Sequence, residues 1–273
     1  NTGFRYNATP GNAYSLNEDL TQTLENTKVE EKRKFDRLGK SLFTSFGTEY
    51  YINNNSSIIA NIIYSIGNDN DINTYSIQRF NSFGVINQET SRVENESEDE
   101  KRVQYTLDYV HNFDGKGKRL SASLQYSSEN EDALSSINET EITQNILNDL
   151  ERVIQNQNEE NVLLQVDYLV PVGENIQYEA GYRGNYRNIF NDFYFEERLV
   201  FPNGPLVPDT GLINAFGYKE LVNAAYFQYG QKFNKISILG GLRYEHTALE
   251  INQLTSLSEN KKSYGNFFPT LNI

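Results

Sequence analysis

The most informative stretch of the sequence is Val162-Leu-Leu-Gln-Val-Asp-Tyr-Leu-Val-Pro-Val172. Its even-numbered positions are all apolar or aromatic, whereas its odd-numbered positions mix Leu with Gln165, Asp167 and Pro171. Apolar residues at every second position lie on one face of a β-strand, and helical spacing does not fit them. This face covers eleven residues, and a strand needs about 9–11 residues to cross the hydrocarbon of a bilayer.

The same alternation recurs along the chain, in segments 103–109, 120–126, 176–182 and 236–244. Four short connections, at 53–56, 114–118, 173–174 and 234–235, start 61, 59 and 61 residues apart, and the first three are rich in Asn, Asp and Gly. Such residues favour hairpin turns. Long polar stretches at 67–101, 128–160, 188–219 and 250–262 separate the short connections. The sequence therefore predicts strand, short turn, strand and long loop, repeated about every 60 residues.

This pattern predicts about ten strands within one domain, 1–273, because no shift in composition marks a linker. The expected strands are 3–9, 25–52, 57–79, 84–113, 119–132, 155–172, 175–190, 216–233, 236–250 and 262–273. The spacing of Ile and Leu at 142–154 is mixed and suggests a short helix within its loop.

The alternation of short and long connections favours one all-β architecture over another. A soluble sandwich has no reason to place its short connections at one end. A transmembrane antiparallel β-barrel combines short periplasmic turns with long extracellular loops. We therefore expect a transmembrane barrel in the bacterial outer membrane, surrounded by outer-membrane lipid.

Aromatic residues on the apolar positions support a barrel, because such barrels carry aromatic girdles at both membrane interfaces. One group lies near the short turns: Tyr50, Phe113, Tyr168, Tyr229 and Phe233. A second group lies toward the other ends of the strands: Tyr64, Tyr126, Tyr182, Tyr186 and Tyr244.

The opposite positions carry ionisable residues, which at membrane depth must face water, protein or each other. They are Glu49, Asp108, Arg119, Asp167, Glu179, Arg183, Lys232, Arg243 and Glu245. We expect them to line a polar lumen, where they form ion pairs or are solvated, or contact a plug, a substrate or a permeating solute.

Composition excludes several classes of protein. Hydrophobic residues make up 37% of the 273 residues and the mean hydropathy is −0.64, and no apolar run approaches the roughly 18 residues of a membrane helix. Aromatic residues make up 13%, too many for a disordered acidic chain. A net charge of −13 argues against nucleic-acid binding. The chain contains no Cys, which excludes disulfides and thiolate metal sites.

Three segments resemble the barrel of TonB-dependent outer-membrane transporters. They are Asn223-Ala-Ala-Tyr-Phe-Gln-Tyr-Gly-Gln-Lys-Phe233, Gly240-Gly-Leu-Arg-Tyr-Glu245 and Phe267-Phe-Pro-Thr-Leu-Asn272. The long strands and the 60-residue repeats fit this resemblance, and the Asn-rich composition is similar to the Bacteroidota branch of the family.

The resemblance implies a 22-stranded barrel, an N-terminal plug domain, and a segment that engages an energy-coupling protein. The sequence contains neither of these additional parts and about half the strands. It starts without Met and stops within a strand pattern. We therefore expect an internal portion of a larger barrel, whose partners could include surface lipoproteins or other outer-membrane subunits.

Candidate chemical sites are few. His111 and His246 share the apolar positions near opposite ends of their strands, which does not suit a catalytic triad. The acidic group Glu94, Glu96, Glu98, Asp99 and Glu100 could bind Ca²⁺, although a solvated strand extension is the stronger interpretation. Gly115–Lys118 reads as a turn, and the Pro- and Gly-containing segment 202–211 as a stiff external loop. No cofactor site is predicted, and the ligand-binding residues are unknown.

These observations leave four hypotheses. The first is an energised transporter that takes up a nutrient too large for simple diffusion, with this chain as barrel wall and extracellular loops. The second is a structural or assembly-partner barrel in an outer-membrane complex. The third is a soluble or surface adhesin-like β protein. An enzyme is the least favoured, and we predict that the chain is not one.

Overall fold

The computed structural model describes residues 2–19, 27–81, 83–113, 117–142, 146–201 and 203–273. These residues form a single antiparallel sheet, in which alternating side chains and Asn- or Gly-containing turns produce one hairpin after another. Its strands are β1 (Thr2–Asp19), β2 (Thr27–Asn53), β3 (Ser56–Phe80), β4 (Ile86–Asn112), β5 (Arg119–Glu141), β6 (Ile146–Val172), β7 (Ile176–Arg198), β8 (Leu206–Pro208), β9 (Asn214–Phe233), β10 (Ile236–Gln253) and β11 (Ser258–Asn272).

Strand order follows the sequence from β1 to β11, except that the short β8 pairs only with β7 and β9 takes the next place beside β7. Within the described ranges, β1 and β11 are the two edges of the sheet and do not pair with each other. The sheet is therefore the meander that an up-and-down barrel uses for its wall, with an open side between β1 and β11.

The described residues form a single-layer sheet without a hydrophobic core. Among the described residues, the only buried apolar side chains are Ile137 and Ala224. Large apolar side chains such as Phe46 and Phe227 are 66% and 52% exposed. The described part also contains no helix that is long and apolar enough to span a membrane. A sandwich would bury one face of each sheet, and this arrangement does not.

Neighbouring strands are staggered, so that one row of paired residues lies at a different distance from the short turn in each hairpin. One row begins at Ser56, the first residue of β3, and runs through β4 and β5 to Tyr168 and on to Phe227. Tyr168 lies four residues before the end of β6 at Val172, and Phe227 lies six residues before the end of β9 at Phe233. The short turns therefore step progressively along the strands, as they must where strands tilt relative to a barrel axis.

The ten long strands predicted from the sequence are present, but several reach further than predicted. β5 continues to Glu141, and β6 already begins at Ile146. The helix predicted within 142–154 is therefore wrong, although residues 143–145 lie outside the described part of the chain. Cross-strand hydrogen bonds stabilise these polar extensions, and an apolar pattern cannot reveal such bonds. The prediction also missed β8.

The long loops predicted at the ends opposite the short turns are mostly strand. β3 and β4 are joined across residues 81–85, where the Asn81 amide donates to Val85 at 2.9 Å and Gly84 has a φ of +73°. β10 and β11 are joined across residues 254–257. Only residues 199–213 between β7 and β9, which contain β8, form a long connection among those fully or partly described.

Candidate functional site

The pairing register divides the sheet into two chemically different faces. Residues that pair across antiparallel strands point to the same side of a sheet. The row through Val166 defines the apolar face: Tyr50, Ile58, Tyr109, Ala122, Val166, Tyr182, Ala225, Tyr244 and Phe267. The row through Gln165 defines the polar face: Glu49, Ile59, Asp108, Ser123, Gln165, Arg183, Ala224, Glu245 and Asn266.

Aromatic residues on the apolar face share common depths when they are counted from the short turns. Tyr64, Tyr126 and Tyr182 lie on three different hydrogen-bonded rows, and Tyr244 shares the row of Tyr182. Each of the four is nevertheless six to eight residues from the first residue of its strand. Nearer the turns, the Phe113 ring packs edge-on against Tyr168 with centroids 5.9 Å apart. The rings of Tyr178 and Tyr229 lie 5.2 Å apart across β7 and β9, tilted by 44° to each other. This is the arrangement expected of two interfacial girdles.

Each ionisable residue predicted to line a lumen lies on the polar face. The register places them there together: Glu49, Asp108, Arg119, Asp167, Glu179, Arg183, Lys232, Arg243 and Glu245. Arg243 Nε donates to Glu245 Oε1 at 2.5 Å along β10. The prediction from parity is therefore confirmed for the position of these side chains, and their contacts with any ligand stay untested.

A polar network links three strands on this face. The hydroxyl of Tyr226 in β9 lies 2.6 Å from Asp167 Oδ1 in β6 and 2.8 Å from Glu179 Oε1 in β7. Gln165 donates to the other oxygen of Asp167 at 2.8 Å. The network depends on Gly181, because a Cβ there would overlap the Tyr226 ring and lie 2.5 Å from Asp167 Oδ1. The sequence indicated the charged residues but not that Tyr226 crosses β7 to reach them.

Beyond the apolar band, the polar face continues as a wall rich in carboxylates, which we call the acidic wall. It spans β3 to β6 and contains Asp69, Asp71, Glu94, Glu96, Glu98, Glu100, Glu129, Glu131 and Glu159. Arg102 binds both carboxylate oxygens of Glu129, at 2.9 and 2.8 Å, and lies 3.3 Å from Glu100.

Arg187 binds Glu159 in the same two-pronged way, at 2.8 and 2.9 Å. Arginines thus neutralise only part of the acidic wall. Burial raises the pKa of Glu96, and the nearby Glu94 and Asp71 raise it further. Burial also raises the pKa of Glu98, as do Glu131 and Asp69. Glu96 and Glu98 therefore retain their protons to higher pH than isolated carboxylates do.

The acidic group singled out in the sequence is divided between the two faces. Glu94, Glu96, Glu98 and Glu100 belong to the acidic wall, whereas Asp99 lies on the apolar-face side, where Asn68 donates to it at 3.0 Å. In the part of the chain that the structure describes, no three carboxylate or histidine side chains come together as a metal site.

The two histidines each contact a serine on a neighbouring strand. His111 Nδ1 lies 2.6 Å from Ser56 Oγ, with its ring edge-on to Phe113 at 4.3 Å. His246 Nε2 lies 2.9 Å from Ser263 Oγ. The sequence did not reveal these pairs, because they depend on cross-strand register. Among the described residues, neither histidine forms an ion pair with a carboxylate, and both lie on the apolar face.

The last two candidates from the sequence are connections between strands, the Gly115–Lys118 turn and the loop of 202–211. Part of the Gly115–Lys118 turn lies outside the described residues, and Gly117 has a φ of +72°. In the loop of 202–211, the Gly211 amide donates to Asp209 Oδ1 at 2.8 Å, and the Asp209 amide donates to the Phe195 carbonyl at 3.1 Å. These bonds and β8 hold the described part of this loop against β7.

Comparison with known proteins adds a family match. The model of a family described as "Outer membrane protein beta-barrel family" matches residues 111–273, which is more than half of the chain. No curated protein matches the sequence.

Several solved structures are similar to this chain at low identity and low TM-score. The ferric citrate transporter FecA, unliganded, is 13% identical with a TM-score of 0.44, and the match covers 95% of this chain and 41% of FecA. BauA, the ferric preacinetobactin receptor from Acinetobacter baumannii, is 10% identical with a TM-score of 0.44, over 98% and 46% of the chains. The outer membrane protease OmpT from Escherichia coli is 8% identical with a TM-score of 0.27, over 99% and 94%. The chain thus spans less than half of FecA and BauA.

Proposed function

Because the chain belongs to the outer membrane protein beta-barrel family, we propose that it forms part of the barrel wall of a TonB-dependent-type transporter in the bacterial outer membrane. In this proposal the apolar face contacts outer-membrane lipid and the polar face lines the lumen. The observation that carries it is the single-layer sheet, whose staggered register collects all nine predicted ionisable residues on one face, opposite the aromatic girdles.

The proposal extends to parts beyond the described strands. The open side between β1 and β11 would be filled by further strands, to a total of about 22 as in the family that the sequence resembles. A plug domain would occupy the lumen and contact the network around Tyr226. The strand extensions and the loop at 199–213 would capture a nutrient, and an energy-coupling protein would drive its uptake. The Asn-rich composition supports a Bacteroidota source.

We also infer that the chain has no catalytic role. His111 and His246 lie on the apolar face, and each is engaged with a serine hydroxyl. A serine–histidine pair needs a carboxylate orienting the imidazole and a pocket for substrate. The ring of His111 packs against Phe113 instead, and His246 pairs in register with Asn223 and Gly265.

A pair of single-cysteine variants tests whether a plug fills the lumen, and each variant has one reactive thiol because the chain contains no Cys. Ser123→Cys lies on the polar face and Ala122→Cys beside it lies on the apolar face. In the full-length protein, a plug-filled lumen should shield Ser123→Cys from a bulky maleimide polymer until urea unfolds the plug. Ala122→Cys should resist water-soluble maleimides throughout. Immediate labelling of Ser123→Cys by the polymer would indicate an open channel and refute the plugged transporter.

A binding measurement separates an energised transporter from a structural or assembly-partner barrel. The full-length protein should bind the purified periplasmic domain of the energy-coupling protein from the same organism. If no complex forms under conditions in which a known transporter binds, the assembly-partner function replaces the proposal.

A further inference from the structure

A cavity of about 340 Å³ lies on the apolar face at the edge of the lipid-facing band. Its floor is built from four side chains of three neighbouring strands. Phe4, Leu42 and Ile66 pair with one another across β1, β2 and β3, and Tyr64 is the next residue of β3 on the same face. Phe4 and Tyr64 are 69% and 44% exposed. The floor is therefore an apolar and aromatic surface that stays open on its outer side.

Two lysines border this floor. Lys101 lies level with Ile66 in the pairing register, and Lys40 lies one step farther from the short turns, beside Asn68. Lys101 is the next outward-facing residue after the eleven-residue apolar face of 103–113, and Lys40 follows Leu42 in the same way on β2. A strand crosses the hydrocarbon in about 9–11 residues. Both ammonium groups therefore lie just outside the hydrocarbon, at headgroup depth, on the side where barrels carry their extracellular extensions.

Among the residues that the structure describes, neither Lys40 nor Lys101 forms an ion pair with a carboxylate, and both lysines are exposed. Two carboxylates also border the cavity. Glu100 pairs with Arg102 at 3.3 Å on the polar face, whereas Asp99 lies within the cavity and accepts a hydrogen bond from the neutral amide of Asn68 at 3.0 Å. The cavity therefore presents two lysines outside any ion pair, together with the single carboxylate of Asp99, above an apolar floor. Its lysines outnumber its carboxylates on this face.

A second cavity at similar depth provides the contrast. It lies between β9, β10 and β11 and also carries two lysines on the apolar face, Lys219 and Lys261. There Glu250 lies between them, 4.0 Å from Lys219 and 3.6 Å from Lys261, and Glu259 also pairs with Lys261. The cations of this cavity are neutralised within the protein, so it lacks the complementarity for an anion that the first cavity has.

We propose that the cavity at Lys40 and Lys101 binds a phosphate-bearing lipid of the outer leaflet, with the phosphate at the two lysines and an acyl chain over Phe4, Leu42, Tyr64 and Ile66. Basic pockets at a membrane surface bind anionic lipid headgroups, and each lysine near such a surface contributes to the attraction. Apolar burial of the acyl chain adds a separate contribution. The site would fix an individual lipid against the wall, independently of what the lumen transports.

Native mass spectrometry of the full-length protein in detergent tests this site, with lipid A as the probe, either carrying its phosphates or dephosphorylated. We expect phosphorylated lipid A to bind the native protein, and Lys40→Gln/Lys101→Gln to weaken this binding about tenfold or more. The matched control, Lys219→Gln/Lys261→Gln, should bind within about twofold of the native protein, because its lysines are already paired.

Several results would overturn the proposal: equal binding of dephosphorylated lipid A, unchanged binding by Lys40→Gln/Lys101→Gln, or an equal loss in the control. Lys40→Arg/Lys101→Arg keeps both charges and should keep the binding, so a loss there equal to the Gln variant would exclude charge as the cause. Glycerol phosphate should not displace the lipid at equal concentration. If it does, the apolar floor contributes nothing and the site is for free phosphate esters.

Discussion

Gly181 shows how one residue without a side chain organises the polar face. Its Cα lies in register between Asp167 and Tyr226, so the Tyr226 ring can lie directly over the backbone of β7. From there the Tyr226 hydroxyl reaches both Asp167 and Glu179. A residue with a Cβ at this position would displace the ring and break the connection between β6 and β9.

We therefore expect Gly181→Ala to destabilise the protein by about 1–3 kcal/mol, because overpacking forces neighbouring side chains from their positions. Gly240→Ala is the matched control, since a Cβ at Gly240 meets no atom within 4 Å. It should change stability by less than about 0.5 kcal/mol. Urea unfolding of the protein in lipid or detergent measures both, and equal effects would mean that the Tyr226 packing is unimportant.

Val166 and Gln165 test the assignment of the two faces at single-residue resolution. Val166 lies at mid-band on the apolar face, and Gln165 lies beside it on the polar face. Arg on the lipid face near the bilayer midplane costs about 2–4 kcal/mol, so Val166→Arg should block assembly into membranes. Gln165→Arg should assemble nearly normally. Equal amounts of both variants in the outer-membrane fraction would show that the faces are wrongly assigned.

At the scale of the element, β4 contains two glutamates, Glu96 and Glu98, that lie close to other carboxylates. Glu96 and Glu98 lie beyond the membrane band on the acidic wall, and burial together with neighbouring carboxylates raises the pKa of both above the usual 4.5. Protonation therefore stabilises the folded state. This stabilisation is complete below pH 4.5 and is lost as the pH rises through the raised pKa values.

We predict that Glu96→Gln/Glu98→Gln raises the melting temperature at neutral pH, because it removes this repulsion. The gain should shrink as the pH falls toward 4.5, where the native carboxylates are themselves protonated. Asp99→Asn on the other face of β4 is the control and should not show the same pH dependence. A gain that is independent of pH would contradict the electrostatic origin.

At the scale of the whole molecule, the strands are much longer than a membrane requires. β4 has 27 residues and is about 90 Å long at 3.3 Å per residue. Even at a tilt near 45° it rises about 60 Å, compared with an apolar band about 25 Å tall. The sheet therefore extends well beyond the bilayer on the side away from the short turns, and the acidic wall is part of that extension.

Epitope insertions test this orientation in intact cells. A tag after Phe83, which is 89% exposed at the tip between β3 and β4, should bind antibody without permeabilisation. A tag after Glu174, in the short turn between β6 and β7, should bind only after the outer membrane is opened. The reverse pattern would mean that the barrel is inserted the other way up.

The sequence was sufficient to predict which side chains share a face. Alternation along a strand is local, because successive side chains point to opposite sides of the sheet whatever its neighbours are. For this reason Asp167, Glu179 and Arg243 could be assigned to the polar face, and the short turns located, before the structure was known.

The tertiary structure alone decided which residues meet across strands. Register depends on hydrogen bonds between residues as far as 55 positions apart, such as Ser56 and His111, and a strand can slide by two residues without changing either face. Tyr226 over Gly181, Ser56 beside His111 and the lysines at one cavity all depend on that choice, as does the continuation of polar segments as strand rather than loop. Side-chain parity is therefore a property of the local sequence, whereas depth, contact and site are properties of the assembled sheet.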